Sequence, residues 1–154
     1  MIKINTILNN KYWYRHIKNP NRFIHNKMNN FNKKFKKYKN SRIFCTLLLS
    51  GDKEIKRLNK KFRKKNKSTD VLSFPFYSKR DLKIKLKNEG EIYLGDIIIN
   101  INKIKKSKNN INFILEFNKL WIHGLTHLFG FDHKKKSEFY EMSKIEKKFL
   151  SYLN

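Results

Sequence analysis

The sequence of this chain lacks most of the features that secreted and membrane proteins use. A single cysteine, Cys45, stands among its 154 residues, so no disulfide can form within the chain. The apolar run around Cys45 predicts a buried thiol in a reducing compartment. No run of 18 apolar residues occurs, which excludes a helical membrane span and a membrane partner. The N-terminus has neither a clean apolar segment nor a small-residue cleavage site, so we expect no signal peptide and a cytoplasmic location.

Acidic residues are also scarce. The chain has 12 Asp and Glu against 37 Lys and Arg, which gives a net charge of +25. A field of this sign and size attracts polyanions, and nucleic-acid phosphates are the first candidates. AT-rich codons also favour the abundant Lys, Asn, Ile and Phe, so codon bias is a second explanation for part of the charge. Both explanations remain open at this point.

The apolar residues predict a single domain spanning residues 1–154, and 13 Phe and 7 Tyr supply material for its core. Continuous or alternating apolar runs predict strands at residues 2–7, 43–49, 71–76 and 91–99. Helical spacing of apolar residues predicts helices at residues 20–38, 52–63, 100–106, 111–129 and 137–153. Residues 77–90 fit a hairpin and a lysine-rich loop about equally. This order of elements predicts an α/β (α+β) fold, with a small mixed sheet of about four strands covered by helices.

The stretch HGLTHLFGFDH, residues 123–133, holds three of the five histidines. His123 and His127 are four residues apart and therefore share one face of a helix. Gly130 can end that helix in the left-handed conformation, and the returning chain would place His133 beside the other two. Three imidazoles converging on one point favour a first-row transition metal, with one zinc ion as the first choice. The HxxxHxxGxxH spacing is that of the zinc-protease helix, so a zincin-like metal helix is predicted.

One residue departs from the zinc-protease pattern. Those enzymes carry a Glu directly after the first His as general base, and here the residue is Gly124. Ordinary peptide hydrolysis is therefore disfavoured. Two other carboxylates are candidates near the site: Asp132 could orient an imidazole, and Asp96, after Gly95, could point toward the metal. For both we favour a structural hydrogen-bonding role over proton transfer.

Taken together, these residues resemble one known family. HGLTHLFGFDH resembles the HGxLHLxGYDH signature of the YbeY family, the metal-dependent endoribonucleases of bacterial rRNA maturation. Further matching stretches follow the family's order, namely LNKKFR (58–63), STDVLSFPF (68–76), LGDIII (94–99) and the closing EMSKIEKKF (141–149). The resemblance runs from about residue 43 to the end, and residues 1–42 match only in coarse pattern. The family's usual Leu, Tyr and Pro are replaced here by Thr126, Phe131 and Ser68. None of these changes removes a ligand or a charge, although Thr126 could bond back to a helix carbonyl.

The resemblance implies a three-layer α/β fold and a set of site residues. His123, His127 and His133 would be the metal ligands, and Arg63 and His123 the catalytic residues. A guanidinium is always charged and binds a phosphate through two donors, so Arg63 could stabilise the charge that develops on a phosphodiester. Either a metal-bound water or the 2′-hydroxyl of the RNA could be the nucleophile, and the sequence does not decide between them.

The implied function is that of a zinc-dependent, single-strand-specific endoribonuclease. It would mature the 3′ end of small-subunit rRNA and act in ribosome quality control. The implied partners are rRNA and ribosomal particles, with ribosomal or GTPase assembly proteins as further candidates. Two alternatives are a metallo-hydrolase acting on a non-RNA substrate such as a peptide, and a non-enzymatic ribosome-associated factor stabilised by zinc.

Overall fold

The structure is a computed structural model that describes residues 1–88, 90–104 and 110–154. The described strands are β1 (Ile2–Leu8), β2 (Ser41–Ser50), β3 (Val71–Pro75) and β4 (Gly90–Asn100). The α-helices are α1 (Pro20–Lys34), α2 (Asp52–Arg63), α3 (Lys79–Lys87), α4 (Asn110–Leu128) and α5 (Lys136–Ser151). Short 3-10 helices cover Lys11–Arg15 and Ile101–Lys103. The predicted α/β class is confirmed.

The four strands form one mixed sheet in the order β1-β2-β4-β3. The first three strands of that order pair in parallel, and β3 pairs antiparallel to β4 at one edge. The pairing of β2 with β4 shifts register at Gly95, whose φ is +128°. A Cβ at Gly95 would overlap the carbonyl oxygen of Phe74 on the neighbouring strand. Gly95 therefore marks an irregularity in the strand pairing and a close backbone approach, and Pro75 lies on the edge strand as expected for a residue without an N–H donor.

Helices cover both faces of this sheet. On one face α2 packs its buried Ile55 against Leu72 and Ile98. The other face carries α1 and α4 in the main hydrophobic core, where Phe117 lies between Trp13 and Phe23. Helix α5 packs against α4. In the described part of the chain no helix is long and apolar enough to cross a lipid bilayer.

The prediction for residues 77–90 was wrong, because residues 79–87 form helix α3 rather than a hairpin or a loop. Ser78 caps this helix by accepting a hydrogen bond from the backbone N–H of Asp81 at 3.1 Å. Leu82 is buried, whereas Ile84 is 49% exposed. Apolar residues that alternate with lysines resemble a strand, yet only those four residues apart, Leu82 and Leu86, turn toward the core.

Several predicted helix ends also differ from the structure. Helix α1 ends at Lys34, although Phe35 and Tyr38 beyond it still pack against Phe129. Helix α5 covers Lys136–Ser151, whereas the predicted range was 137–153. The predicted helix at residues 100–106 is a 3-10 turn at residues 101–103, and residues 105–106 lie outside the described part.

Candidate metal centre

The three histidines of the motif come together at the C-terminal end of α4. His123 and His127 lie in its last two turns, and Gly130, with φ +84°, reverses the chain so that His133 returns to them. One ring nitrogen from each histidine lies within 4.8 Å of the others. The predicted convergence of the three imidazoles is therefore observed. Within residues 1–88, 90–104 and 110–154 the cluster contains these three residues alone.

Hydrogen bonds from the outer nitrogens fix two of the rings. Nδ1 of His123 lies 2.6 Å from Oε1 of Glu146, and Nδ1 of His127 lies 2.9 Å from the carbonyl oxygen of Phe131. Both oxygens are acceptors, so each Nδ1 donates a proton, and in the neutral form of each ring this tautomer directs the Nε2 lone pair inward. The two Nε2 atoms are 3.1 Å apart.

This arrangement fits a metal ion. Two inward lone pairs at 3.1 Å repel each other, and a cation between them would convert that repulsion into attraction. Burial, followed by the nearby His123, lowers the pKa of His127, so this ring is neutral at pH 7 as a metal ligand must be. Three imidazoles are a donor set that zinc accepts, with a further coordination position left open. The histidine group could thus bind a metal ion.

Glu146 belongs to the site although it lies outside the histidine motif at residues 123–133. It lies on α5, 23 residues beyond His123 along the chain, and reaches the ring because α5 packs against α4. Carboxylates commonly hold metal-ligating imidazoles in this way, fixing the ring orientation and raising its basicity. The only sequence signal for this role is the position of Glu146 inside the stretch EMSKIEKKF.

Gly124 is explained by the packing of α4 on the sheet. A Cβ at this position would lie 2.6 Å from Cγ2 of Ile97 and 3.1 Å from Oγ of Ser73. The helix therefore rests directly on strands β3 and β4 at the residue next to His123. A longer side chain, including the Glu of zinc proteases, has no room there in this packing.

Arg63 lies across the edge strand from α4. At the end of α2, its guanidinium donates a hydrogen bond from Nη2 to the carbonyl oxygen of Ser73 at 3.1 Å and lies over the ring of Phe74 at 5.8 Å. The side chain of the same Ser73 faces Gly124, which directly follows His123. One strand residue thus separates the guanidinium from the helix that carries the histidines.

The two candidate carboxylates both have structural hydrogen bonds, as the sequence favoured. Asp96 accepts a hydrogen bond from the hydroxyl of Tyr93 at 2.6 Å and pairs with Phe74, on the α2 face of the sheet. The idea that it points toward the metal is therefore wrong. Asp132 accepts from the backbone N–H of His133 at 2.8 Å and does not orient an imidazole ring. That backbone hydrogen bond is the main reason why the pKa of Asp132 is lowered.

Thr126 makes the hydrogen bond back to a helix carbonyl that the sequence indicated. Its hydroxyl donates to the carbonyl oxygen of Ile122, one turn back in α4, at 2.8 Å. Because Thr126 is fully buried, this bond satisfies a polar group that the core could not otherwise hold.

Comparisons with known proteins agree with this geometry. The family model described as "Endoribonuclease YbeY" matches residues 7–154, so the match begins well before residue 43. Endoribonuclease YbeY from Pelagibacter ubique is 43% identical over 150 residues, covering 95% of this chain and 92% of the relative. Endoribonuclease YbeY from Ehrlichia canis is 36% identical over 155 residues, covering 99% and 93%.

A solved structure shows the same fold. The solution structure of TM1509 from Thermotoga maritima matches with a TM-score of 0.58 and 23% identity, over 99% of this chain and 89% of that one. With the histidine cluster in place and the family model spanning nearly the whole chain, this protein belongs to the endoribonuclease YbeY family.

Proposed function

We propose that this protein is a zinc-dependent, single-strand-specific endoribonuclease that matures the 3′ end of small-subunit rRNA and acts in ribosome quality control. The observation that carries the proposal is the converged cluster of His123, His127 and His133, in a chain whose relatives are named endoribonucleases. The net charge of +25 supports a polyanionic substrate.

In the proposed site the three histidines hold one zinc ion, which when bound supplies a Lewis acid for a phosphodiester oxygen. Glu146 and the carbonyl of Phe131 keep the rings of His123 and His127 in the tautomer that binds a metal. The histidine nitrogens are thereby positioned before substrate arrives.

Arg63 is the proposed catalytic cation. Its guanidinium uses one donor on the Ser73 carbonyl, which leaves further N–H donors for a phosphate. A guanidinium held at this edge would stabilise the negative charge that develops on the scissile phosphodiester. Of the three histidines, His123 is next in sequence to Gly124, the residue that packs against Ser73 on this edge strand.

We extend the proposal to the partners and the cellular location of the enzyme. Its partners would be rRNA and ribosomal particles, with ribosomal or GTPase assembly proteins as further partners, in the cytoplasm. Residues 1–154 would act as one domain, in keeping with the continuous core that joins β1, α1, α4 and α5.

Two structural features weigh against the alternatives. The close approach at Gly124 leaves no room for the carboxylate base that a peptidase of this spacing uses. A zinc ion that merely stabilises a fold is usually enclosed by four protein ligands, whereas among the described residues this cluster has three, and His133 is exposed.

The test compares RNA cleavage by the zinc-loaded protein, the chelated protein and Arg63→Ala. The substrate is a single-stranded RNA that carries the 3′ end of small-subunit rRNA. We expect chelation to abolish cleavage and Arg63→Ala to slow it by about 100- to 1,000-fold, the effect of removing one donor to a developing anion. Lys60→Ala, on the same helix, is the matched control and should cleave like the wild type.

Cleavage that survives both chelation and Arg63→Ala would overturn the mechanism. Mapping of RNA ends in cells depleted of the protein tests the substrate, and small-subunit rRNA with unprocessed 3′ ends should accumulate. If processing stays normal while the purified protein cleaves a peptide, the metallo-hydrolase alternative is correct.

A further inference from the structure

A groove opens beside the histidine cluster, between the end of α1, helix α3 and helix α5. Its volume of about 770 Å³ lies within the range of pockets that hold small-molecule-sized groups, which includes nucleotides. Its floor is aromatic, and the following rings are each only partly buried: Phe35, Tyr38, Phe129, Phe131 and Tyr152. We call this surface the aromatic groove. These partly exposed rings line one cavity together and so offer it a continuous apolar surface.

The rim of the aromatic groove is strongly basic. Seven lysines and one acidic residue, Glu141, line it, which gives a formal charge of +6. Three of the lysines, Lys79, Lys83 and Lys87, are spaced four residues apart and therefore share one face of α3. None of these three has a carboxylate partner among the described residues. Like charges at this spacing destabilise a helix, and a bound polyanion would relieve the repulsion.

Phe131 connects the aromatic groove to the metal centre. Its ring lines the groove, while its carbonyl oxygen accepts the hydrogen bond from Nδ1 of His127 at 2.9 Å. The preceding Gly130 lies against the first lysine of the rim, since a Cβ there would be 3.3 Å from Cγ of Lys79. A ligand in the groove would therefore lie directly beside the turn that carries the third histidine.

We infer that the aromatic groove binds a single-stranded segment of the RNA substrate next to the bond that is cleaved. Bases would stack on the aromatic floor, and backbone phosphates would lie along the lysine rim. Sites for single strands combine these two elements, because every base has an aromatic face and every linkage a negative charge. A duplex keeps its bases stacked inside and cannot offer them to such a floor. The inference rests on the proposed function and adds to it a surface outside the catalytic residues that selects unpaired RNA.

The first experiment tests the lysine rim. Binding of a fluorescent 2′-O-methyl oligouridylate, verified to remain intact, is measured by anisotropy over a series of salt concentrations. Lys83→Ala with Lys87→Ala should weaken binding. It should also reduce the slope of log affinity against log salt by about 1.4, that is, about 0.7 for each of two lost phosphate contacts. The matched control, Arg80→Ala with Lys85→Ala, removes the same charge from the same helix at positions outside the groove. It should change the slope by less than about half of the decrease expected for the groove pair.

The second experiment tests the aromatic floor. Tyr38→Ala should weaken binding of the oligonucleotide by about 5- to 150-fold, the effect of losing one stacked base. Tyr38→Phe keeps the ring and should bind like the wild type. Because Tyr38 stacks on Phe129, Tyr38→Leu serves as a second variant that keeps apolar volume without a ring, and it should weaken binding like Tyr38→Ala. A duplex of equal length should be insensitive to all three changes.

Specific results would overturn the inference. Equal losses in the groove pair and the control pair would show that the basic charge acts diffusely. Equal binding of duplex and single strand, no effect of Tyr38→Ala and Tyr38→Leu, or groove-dependent binding of a polyglutamate peptide would each exclude a base-stacking site for RNA. Binding is read here without cleavage, so its outcome is separate from the test of Arg63 and zinc. If the wild type cleaves RNA but the groove variants bind the oligonucleotide as well as the wild type does, only the groove inference is refuted. If binding depends on the groove but the wild type does not cleave RNA, only the proposed catalysis is refuted.

Discussion

Replacing Glu146 by Gln should weaken metal binding at the histidine cluster without unfolding the protein. The carboxylate lies 2.6 Å from Nδ1 of His123, and both side chains are largely covered, with 26% and 30% of their surfaces exposed. Glutamine has nearly the same shape and can still accept through Oε1, so the variant removes the charge and leaves the contact geometry available. A charge-assisted hydrogen bond is roughly twice as strong as a neutral one and makes the imidazole more basic toward a metal.

The expected size of the effect follows from that contact. Loss of a carboxylate that orients a metal-bound imidazole lowers metal affinity by about 10- to 100-fold, which corresponds to about 1.4–2.7 kcal/mol. Partial exposure screens the pair, so we expect the lower half of this range. Competition with a chromogenic zinc chelator at constant pH measures the affinity directly.

The control is Glu141→Gln, which makes the same change of charge on the same helix at an exposed position away from the histidines. It should leave zinc affinity unchanged. Thermal unfolding of both metal-free variants checks that α5 remains packed on α4. Wild-type zinc affinity in a folded Glu146→Gln variant, or an equal loss in the control, would refute the role assigned to Glu146.

Three further predictions follow from the packing. Gly124→Ala should lower the free energy of unfolding by about 1–2 kcal/mol in denaturant titrations, because overpacking against Ile97 costs more than the gain in helix propensity. A variant as stable as the wild type, or more stable, would contradict the observed contact. Burial raises the pKa of the Cys45 thiol to about 12, so a disulfide reagent should modify it only after unfolding in urea, and rapid labelling of the native protein would refute this. The pKa of Asp52 is lowered mainly by a hydrogen bond from Ser68. The ionised Asp52 carboxylate therefore contributes to stability above about pH 4, and this contribution is lost as the pH falls through the pKa that Asp52 has in the folded protein. In urea titrations the stability difference between wild type and Asp52→Asn should therefore shrink below pH 4, and a constant difference would contradict the shift.

The sequence predicted most of what depends on local spacing. His123 and His127 share a helix face because they are four residues apart, and Gly130 takes the left-handed conformation that the motif required. Glu146 could not be found in the same way. Its contact with His123 exists only because α5 folds back over α4, and two other glutamates in the same helix, Glu138 and Glu141, make no such contact.

Helix α3 shows a second limit of predicting structure from sequence. The alternation of Leu82, Ile84 and Leu86 with lysines matches the period of a strand, but residues 79–87 form a helix and are not part of the four-stranded sheet. The cap at Ser78 and the spacing of Leu82 and Leu86 by four residues fit a helix, and the core that accepts Leu82 decides the outcome. Short segments in which two periods fit the same apolar residues cannot be assigned until the surrounding fold is known.

The edge position of strand β3 has a consequence for the study of Arg63. Exposed sheet edges offer unpaired backbone groups that invite pairing with other chains and aggregation. Here the edge is only five residues long, Pro75 offers no N–H, and the guanidinium of Arg63 occupies the carbonyl oxygen of Ser73. Replacing Arg63 by Ala frees that acceptor and so uncovers a site for self-association. The oligomeric state of the variant must therefore be measured by light scattering before a loss of cleavage is assigned to catalysis.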